Sequence, residues 1–224
     1  MLSSVSNCST FEAEYRRVLN LTETVNWLSN YQSLISYLSD QCGRCARSLR
    51  SLYLLGENIV DIKNENLQLP SWLNSTQLKQ LEELYNVIFD YLFRTELEQR
   101  LRAGMFLNEL RKQMFLIKKC KKFYPVRIYS TNDDIIVATL TALGVYDQIP
   151  PWFGATVMFE FRCSRNKRNK FIRIYYLNDT YSENPIRLDI SRCGNGRFCS
   201  FEKFAGLIRK FIPNNWRKEC GFED

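Results

Sequence analysis

The stretch YSTNDDIIVATLTALG, residues 129–144, carries a polar pair, Asn132-Asp133, where a strand-like segment hands over to an apolar helical one. An amide can donate or accept a hydrogen bond and a carboxyl can hold or release a proton, so such a pair at such a junction is suited to face a ligand. Asn at a helix start also has a plain structural role, as an N-cap whose side-chain oxygen accepts from the first turn. The rest of the chain narrows the chemistry, because its 224 residues contain no histidine. Imidazole nucleophiles, imidazole bases and histidine metal ligands are all excluded.

A second pattern with chemical meaning is Cys42-Gly43-Arg44-Cys45, the C-x-x-C spacing of redox and zinc sites. It does not follow the strand of a βαβ unit, and without histidine a zinc site needs four thiolates, with Cys120 and Cys163 as the remaining donors. Structural disulfides or free thiols are the simpler reading, and neither metal nor cofactor is expected. The formal charge of +7 is partly gathered in two basic runs, Lys118-Lys119-Cys120-Lys121-Lys122 and RCSRNKRNK at 162–170. The second reads as a solvated turn between two strands. No aromatic residues interleave with the charges and no nucleic-acid motif accompanies them, so nucleic acid is not an expected partner.

Eight cysteines and four Asn-x-Ser/Thr sequons, at Asn7, Asn20, Asn74 and Asn178, point to the secretory lumen. The opening residues MLSSVSNCSTFEAE have no charged and apolar leader pattern, which leads to the expectation that an upstream segment is missing. No apolar run approaches membrane-spanning length.

The elements that would position these residues fall into two parts. From 9 to 94 the periodicity is helical: Ser9 and Glu12 at capping-box spacing before Phe11, Tyr15, Val18 and Leu19; then Leu28, Tyr31, Ile35 and Leu38; then Leu49, Leu52 and Leu55. A break around Pro70 with a cap at Asn74 or Ser75 precedes a long helix through Leu92. From 95 to 224 the pattern is mixed. Thr95 and Glu98 cap a helix carrying Leu101, Met105 and Leu110, PVRIYS is strand-like, and residues 133–143 form a helix ending at Gly144. ATVMFEFRC and KFIRIYYLN form a strand pair, IRLDI a short strand, and SFEKFAGLIRKFIP an amphipathic helix stopped by Pro213.

Several blocks in this order, LPSWLNSTQLKQLEEL, LRAGMFLNEL, IYSTNDDIIVATLTALGVYDQIPPW, VMFEF, IRIYYLNDT and RCGNGRFCSFEKFAGLIRKFIPNNWRKEC, resemble the histidine acid phosphatases, above all the secreted and lysosomal ones. The likeness covers residues 69 to 220, with 8 to 68 similar to the same family's helical cap. It implies an α/β fold: a histidine-phosphatase-like α/β domain, incomplete, in residues 95–224, with a helical cap region in 9–94.

In the family resembled, an Arg-His-Gly motif supplies a histidine nucleophile that takes the phosphoryl group from a monoester. A later His-Asp pair binds the phosphate and protonates the leaving alcohol. Asn132-Asp133 stands in the place of that pair, so Asp133 is the implied residual general acid and Asn132 replaces the phosphate-binding histidine. No Arg-His-Gly is present, and the expectation is that the first part of the α/β domain is absent. The chain then reads as a truncated or catalytically inactive member. The resemblance further implies Cys8–Cys220 and Cys193–Cys199 disulfides, a third bridge lost with Asp61 and Thr156 near its positions, a phosphate monoester as substrate of any residual activity, a secreted or lysosomal location, and homodimers as the family's assembly. Cys42, Cys45, Cys120 and Cys163 stay unassigned. The alternative is a secreted non-catalytic binding protein whose basic face, with Arg165, Lys167 and Arg168, takes an anionic polymer.

Overall fold

Short polar signals set where the helices begin. The computed structural model describes residues 8–43, 46, 48–119, 124–164, 169–178, 181–193 and 198–222. Its elements run α1 (Ser9–Leu19), α2 (Thr22–Ser29), α3 (Gln32–Cys42), α4 (Leu49–Asn64), α5 (Ser75–Leu92), α6 (Glu96–Lys118), α7 (Asp133–Leu143), β1 (Thr156–Cys163), β2 (Lys170–Leu177), β3 (Ile186–Leu188), β4 (Cys199–Ser200), α8 (Phe201–Ile208) and α9 (Trp216–Glu219). The chain forms two compact units, residues 15–92 and residues 1–14 with 93–224.

The smaller unit is helical. Ser48 and Ser51 form a reciprocal capping box at the start of α4. Before α5, the Asn74 side-chain oxygen accepts from the backbone N–H groups of Thr76 and Gln77 at 3.0 and 2.9 Å, and Gln77 returns a bond to the Asn74 N–H at 3.0 Å. The helices close over Leu34, Leu38, Leu49, Leu52, Ile59, Leu81, Leu84 and Ile88, with Trp27 stacked on Tyr91 at 4.5 Å. The run from Leu28 to Leu38 is not one helix, because α2 stops at Ser29 and α3 restarts at Gln32.

In the larger unit, Thr95 and Glu98 form the capping box of α6. Leu101, Leu107, Leu110 and Met114 are its buried apolar positions, while Met105, read with them in the sequence, is 47% exposed. Gly104 on α6 lies against the backbone after α8: a Cβ there would sit 2.3 Å from the Phe211 carbonyl oxygen and 2.5 Å from Pro213 Cδ. β1 and β2 form the expected antiparallel pair, Thr156 opposite Leu177 through Cys163 opposite Lys170. Both β3 and β4 pair antiparallel with β2, at Ile174–Tyr176 and at Phe171–Ile172 respectively. β4 was not legible as a strand, since two residues carry no period. Phe159 and Phe161 stand opposite Ile174 and Ile172, and Phe204 and Phe201 of α8 cover them at 6.5 and 5.6 Å. Helices packed on a small sheet make the fold α/β.

Two local expectations are corrected. PVRIYS is not a strand: residues 125–130 are irregular, pair with none of the four strands, and leave Val126 and Ile128 exposed at 74% and 89%. Alternating β-formers make a strand only beside another strand that takes up their backbone groups. The Ser9–Glu12 box does not form either. Helix α1 starts at Ser9 itself, whose hydroxyl donates to the Cys220 carbonyl at 3.2 Å, while the Glu12 N–H reaches the Cys8 carbonyl at 3.0 Å.

That arrangement sits on a disulfide between Cys8 and Cys220, 212 residues apart; a second bridge joins Cys193 and Cys199. In the chain-entropy account a loop of that length stabilises the fold by about 5 kcal/mol. Leu101, Phe11 and Trp216 pack around the long bridge. Beside it Arg100 clamps Glu219 of α9 with two bonds of 2.6 and 2.9 Å. The hydrogen bond and charge of Glu219 raise the Arg100 pKa, and those of Arg100 hold the Glu219 carboxyl below the usual glutamate range.

Gly104→Ala is expected to destabilise the protein by about 1–3 kcal/mol through overpacking, whereas Gly206→Ala, whose Cβ would meet nothing within 4 Å, should be neutral or stabilising by about 1 kcal/mol; urea denaturation separates the two. Because the folded pKa of Glu219 is depressed, its contribution is fully present above the unfolded value of about 4.3 and is lost as pH falls through the folded value. Thermal unfolding followed below pH ~4.3 should therefore fall less steeply in Glu219→Gln than in the unaltered chain, and equal slopes would refute the clamp.

Candidate functional site

Helix α7 is apolar on most of its surface, with Ile135, Val137, Ala138, Leu140 and Leu143 buried, so its position is set by packing and its polar start is left at the rim. It ends at Gly144 in the left-handed region (φ 71°), with the Val145 N–H bonded to the Leu140 carbonyl and the Gly144 N–H to that of Thr141, both at 2.9 Å. Its first residues hold the polar pair.

Asn132 occupies the N-cap position in an extended conformation (φ −96°, ψ 164°), and its carbonyl accepts from the Ile135 N–H at 3.2 Å. Its side chain makes no capping hydrogen bond and is exposed. Asp133 is half-buried, and its Oδ1 accepts from the Asp134 N–H at 2.7 Å. Asn132 is thus a cap by position and not by side chain, which leaves its amide pointing at solvent or ligand.

Underneath, Asp134 is ion-paired to Arg102 of α6, with side chains only 20% and 12% exposed. The segment leading into α7 is held on α6 as well. Glu109 Oε1 accepts from Arg127, Tyr129 and Gln113 at 3.4, 3.3 and 2.6 Å, and Phe106 meets the Tyr129 ring edge-on at 5.7 Å. Arg102, Asp134 and Glu109 were not singled out in the sequence. Asp134 adjoins the pair, but Arg102 and Glu109 sit on the polar face of a helical period, where a charged residue ordinarily signals solvent.

Chemically, the start of α7 combines backbone N–H groups, a favourable dipole for an anion and the Asn132 amide donor. The charge of Asp134 is met by Arg102, and Asp133 supplies a carboxyl that can pass a proton. The amide is an uncharged hydrogen-bond donor and acceptor, and neither member of the pair is an imidazole-type nucleophile.

The remaining expected site residues are dispersed. Cys42 is disulfide-bonded, which removes its thiolate from any zinc set, and Cys163 is free and exposed. Cys45 and Cys120 lie outside the described residues, as do Asn7, Arg165, Lys167 and Arg168. Among the described residues no group of three or more acidic or cysteine side chains is placed to hold a metal ion, and no helix is long and apolar enough to cross a membrane. Asn20 and Asn74 are exposed. Asn178 is half-buried, its amide nitrogen donating to the Pro150 carbonyl at 3.2 Å and its oxygen accepting from the Trp152 N–H at 2.8 Å.

A family model described as the histidine phosphatase superfamily (branch 2) matches residues 7–177, a span that includes Asn132 and Asp133. The chain belongs to the histidine phosphatase superfamily. Among curated proteins this superfamily member is 27% identical over 223 residues to putative acid phosphatase 5 of Caenorhabditis elegans, covering 97% of this chain and 51% of that one. It is 28% identical to prostatic acid phosphatase of Mus musculus, covering 96% and 56%. The chain spans about half the length of the curated relatives it matches. Among solved structures it is similar to Hafnia alvei phytase in complex with tartrate, with a TM-score of 0.63 at 15% identity over 99% of this chain and 68% of that one; this likeness concerns the fold.

Because the Asn132 side chain makes no capping bond, Asn132→Ala should change stability by no more than about 0.5 kcal/mol, against the ~1 kcal/mol of a working cap. Asp134→Ala removes the carboxylate ion-paired to the mostly buried Arg102 and should cost about 1–3 kcal/mol. Denaturant midpoints check both, and an Asn132→Ala loss as large as the Asp134→Ala loss would restore the capping role.

Proposed function

We propose that this chain is an acid phosphatase-like protein without useful catalysis of its own, retaining one wall of a phosphate-monoester site at the start of α7. The observation that carries the reading is the complete lack of histidine in a chain of a superfamily whose chemistry the resemblance assigns to a phosphohistidine intermediate. In that reaction an imidazole nitrogen attacks phosphorus, the ester oxygen departs with a proton from a carboxylic acid, and water then releases phosphate from the nitrogen. Asp133 is the proposed proton donor to the leaving oxygen, and Asn132 with the helix start is the proposed anchor for a phosphate oxygen. The attacking nitrogen has no counterpart among the 224 residues.

Loss of a covalent nucleophile costs about a million-fold in kcat, roughly 8 kcal/mol of barrier. A lumenal setting, secreted or lysosomal, is part of the proposal. The relatives' names and the two disulfides support it, and Asn20 and Asn74 are the sequons whose exposure fits glycan attachment. A second reading, a non-catalytic binder of anionic partners, is favoured by Asn132 itself: an amide in place of the implied histidine keeps a hydrogen-bond donor for an anion and gives up titration.

The purified chain should hydrolyse p-nitrophenyl phosphate at acid pH no faster than a blank. Turnover that disappears in Asp133→Ala would overturn the inactive reading and leave the site assignment standing.

A further inference from the structure

Helix α6 presents different residues on two of its faces. Arg102 and Glu109 serve α7 and the segment before it, while Arg100, Asn108 and Arg111 recur at helical spacing along a groove of about 650 Å³ that also takes in Gly206, Arg209, Lys210 and Asn214. Among the described residues four cations line this groove and no carboxylate does. Arg100 is neutralised by Glu219, and its remaining terminal nitrogen donates to the Lys210 carbonyl at 2.6 Å. Lys210 is neutralised by Glu96. Arg111 and Arg209 are left.

Arg111 has no carboxylate partner among the described residues. One of its terminal nitrogens donates to Asn108 Oδ1 at 3.0 Å, which steers the guanidinium and leaves its other N–H groups open. The same bond commits the Asn108 oxygen and orients the amide, whose N–H₂ makes no hydrogen bond among the described residues. The Arg209 side chain makes no hydrogen bond or ion pair among the described residues. Exposed arginines on a convex helix are ordinarily only solvated; here two uncompensated ones share a concavity. Gly206 leaves the space open, since a Cβ on it would meet nothing within 4 Å.

We propose that this groove is an oxyanion-binding site, separate from the Asn132–Asp133 wall, for a ligand bearing two or more phosphoryl or sulfuryl groups. Guanidinium forks match the spacing of tetrahedral oxyanion oxygens and bind them with charge-assisted hydrogen bonds. Two unneutralised forks match a ligand of at least two negative charges. The volume falls in the range of sites for small organic ligands, well above that of a single phosphate.

The test is calorimetric titration of the whole chain at physiological ionic strength with inorganic tripolyphosphate and, separately, with a heparin-derived tetrasaccharide. Saturable binding of tripolyphosphate assigns the site to phosphorylated small molecules, and saturable binding of the tetrasaccharide alone assigns it to sulfated sugars. In either case Arg111→Ala and Arg209→Ala should each weaken binding about ten-fold. Gly206→Leu, which fills the groove and keeps every charge, should abolish it with the circular dichroism spectrum unchanged. Lys79→Ala, which removes one exposed positive charge outside the groove, should bind as the unaltered chain does, so a loss in the arginine variants is not one of net charge alone. Absence of saturable binding by both probes, or binding by Gly206→Leu equal to that of the unaltered chain, overturns the proposal.

Discussion

The approach of α6 to the backbone at Phe211–Pro213, possible only because residue 104 has no side chain, fixes the frame in which the larger unit works. A helix held that closely cannot rotate about its axis, so the residues it offers to each side are determined. On one side Arg102 and Glu109 receive the start of α7 and the segment before it; on another Arg100 reaches across to Glu219. At its end Lys170 of β2 donates to the carbonyls of Ile117 and Lys118 at 2.6 and 3.1 Å, occupying acceptors that a helix terminus leaves without intrahelical partners. One helix thus carries the connections that hold the α7 start, the sheet and the C-terminal segment.

The chemistry at the α7 start follows from what an amide lacks. A histidine in that position would change charge within the acidic range and compete for the Asp133 proton. Asn132 presents the same kind of hydrogen bond at every pH, so the proposed anchor for an anion does not titrate. On the proposed reading such a site would hold better than it reacts, since the sequence contains no histidine.

How much of this could be read from the residues depended on range. The Thr95–Glu98 box, the Asn74 cap, the β1–β2 hairpin and the Gly144 stop all rest on interactions within a few residues, and the sequence carries them openly. PVRIYS has strand chemistry, but among the described residues no strand pairs with it, so local preference alone did not make it one. The capping pattern at Ser9 lost to a carbonyl more than two hundred residues away. The Arg102–Asp134 pair crosses between two helices and has no period in sequence. The Asn132–Asp133 pair was legible because its oddity was local, whereas the basic groove was hidden because each of its cations is ordinary alone.

The bridge from Cys8 to Cys220 also imposes an order on synthesis. With the chain emerging at roughly 5–20 residues per second, Cys8 waits on the order of 10–40 s for its partner to be made. Throughout that interval earlier-emerging thiols, Cys42 among them, are within reach of oxidation with it. Helix α1, which follows Cys8, can therefore be tied to α9 by this bridge only after the chain through Cys220 has been made.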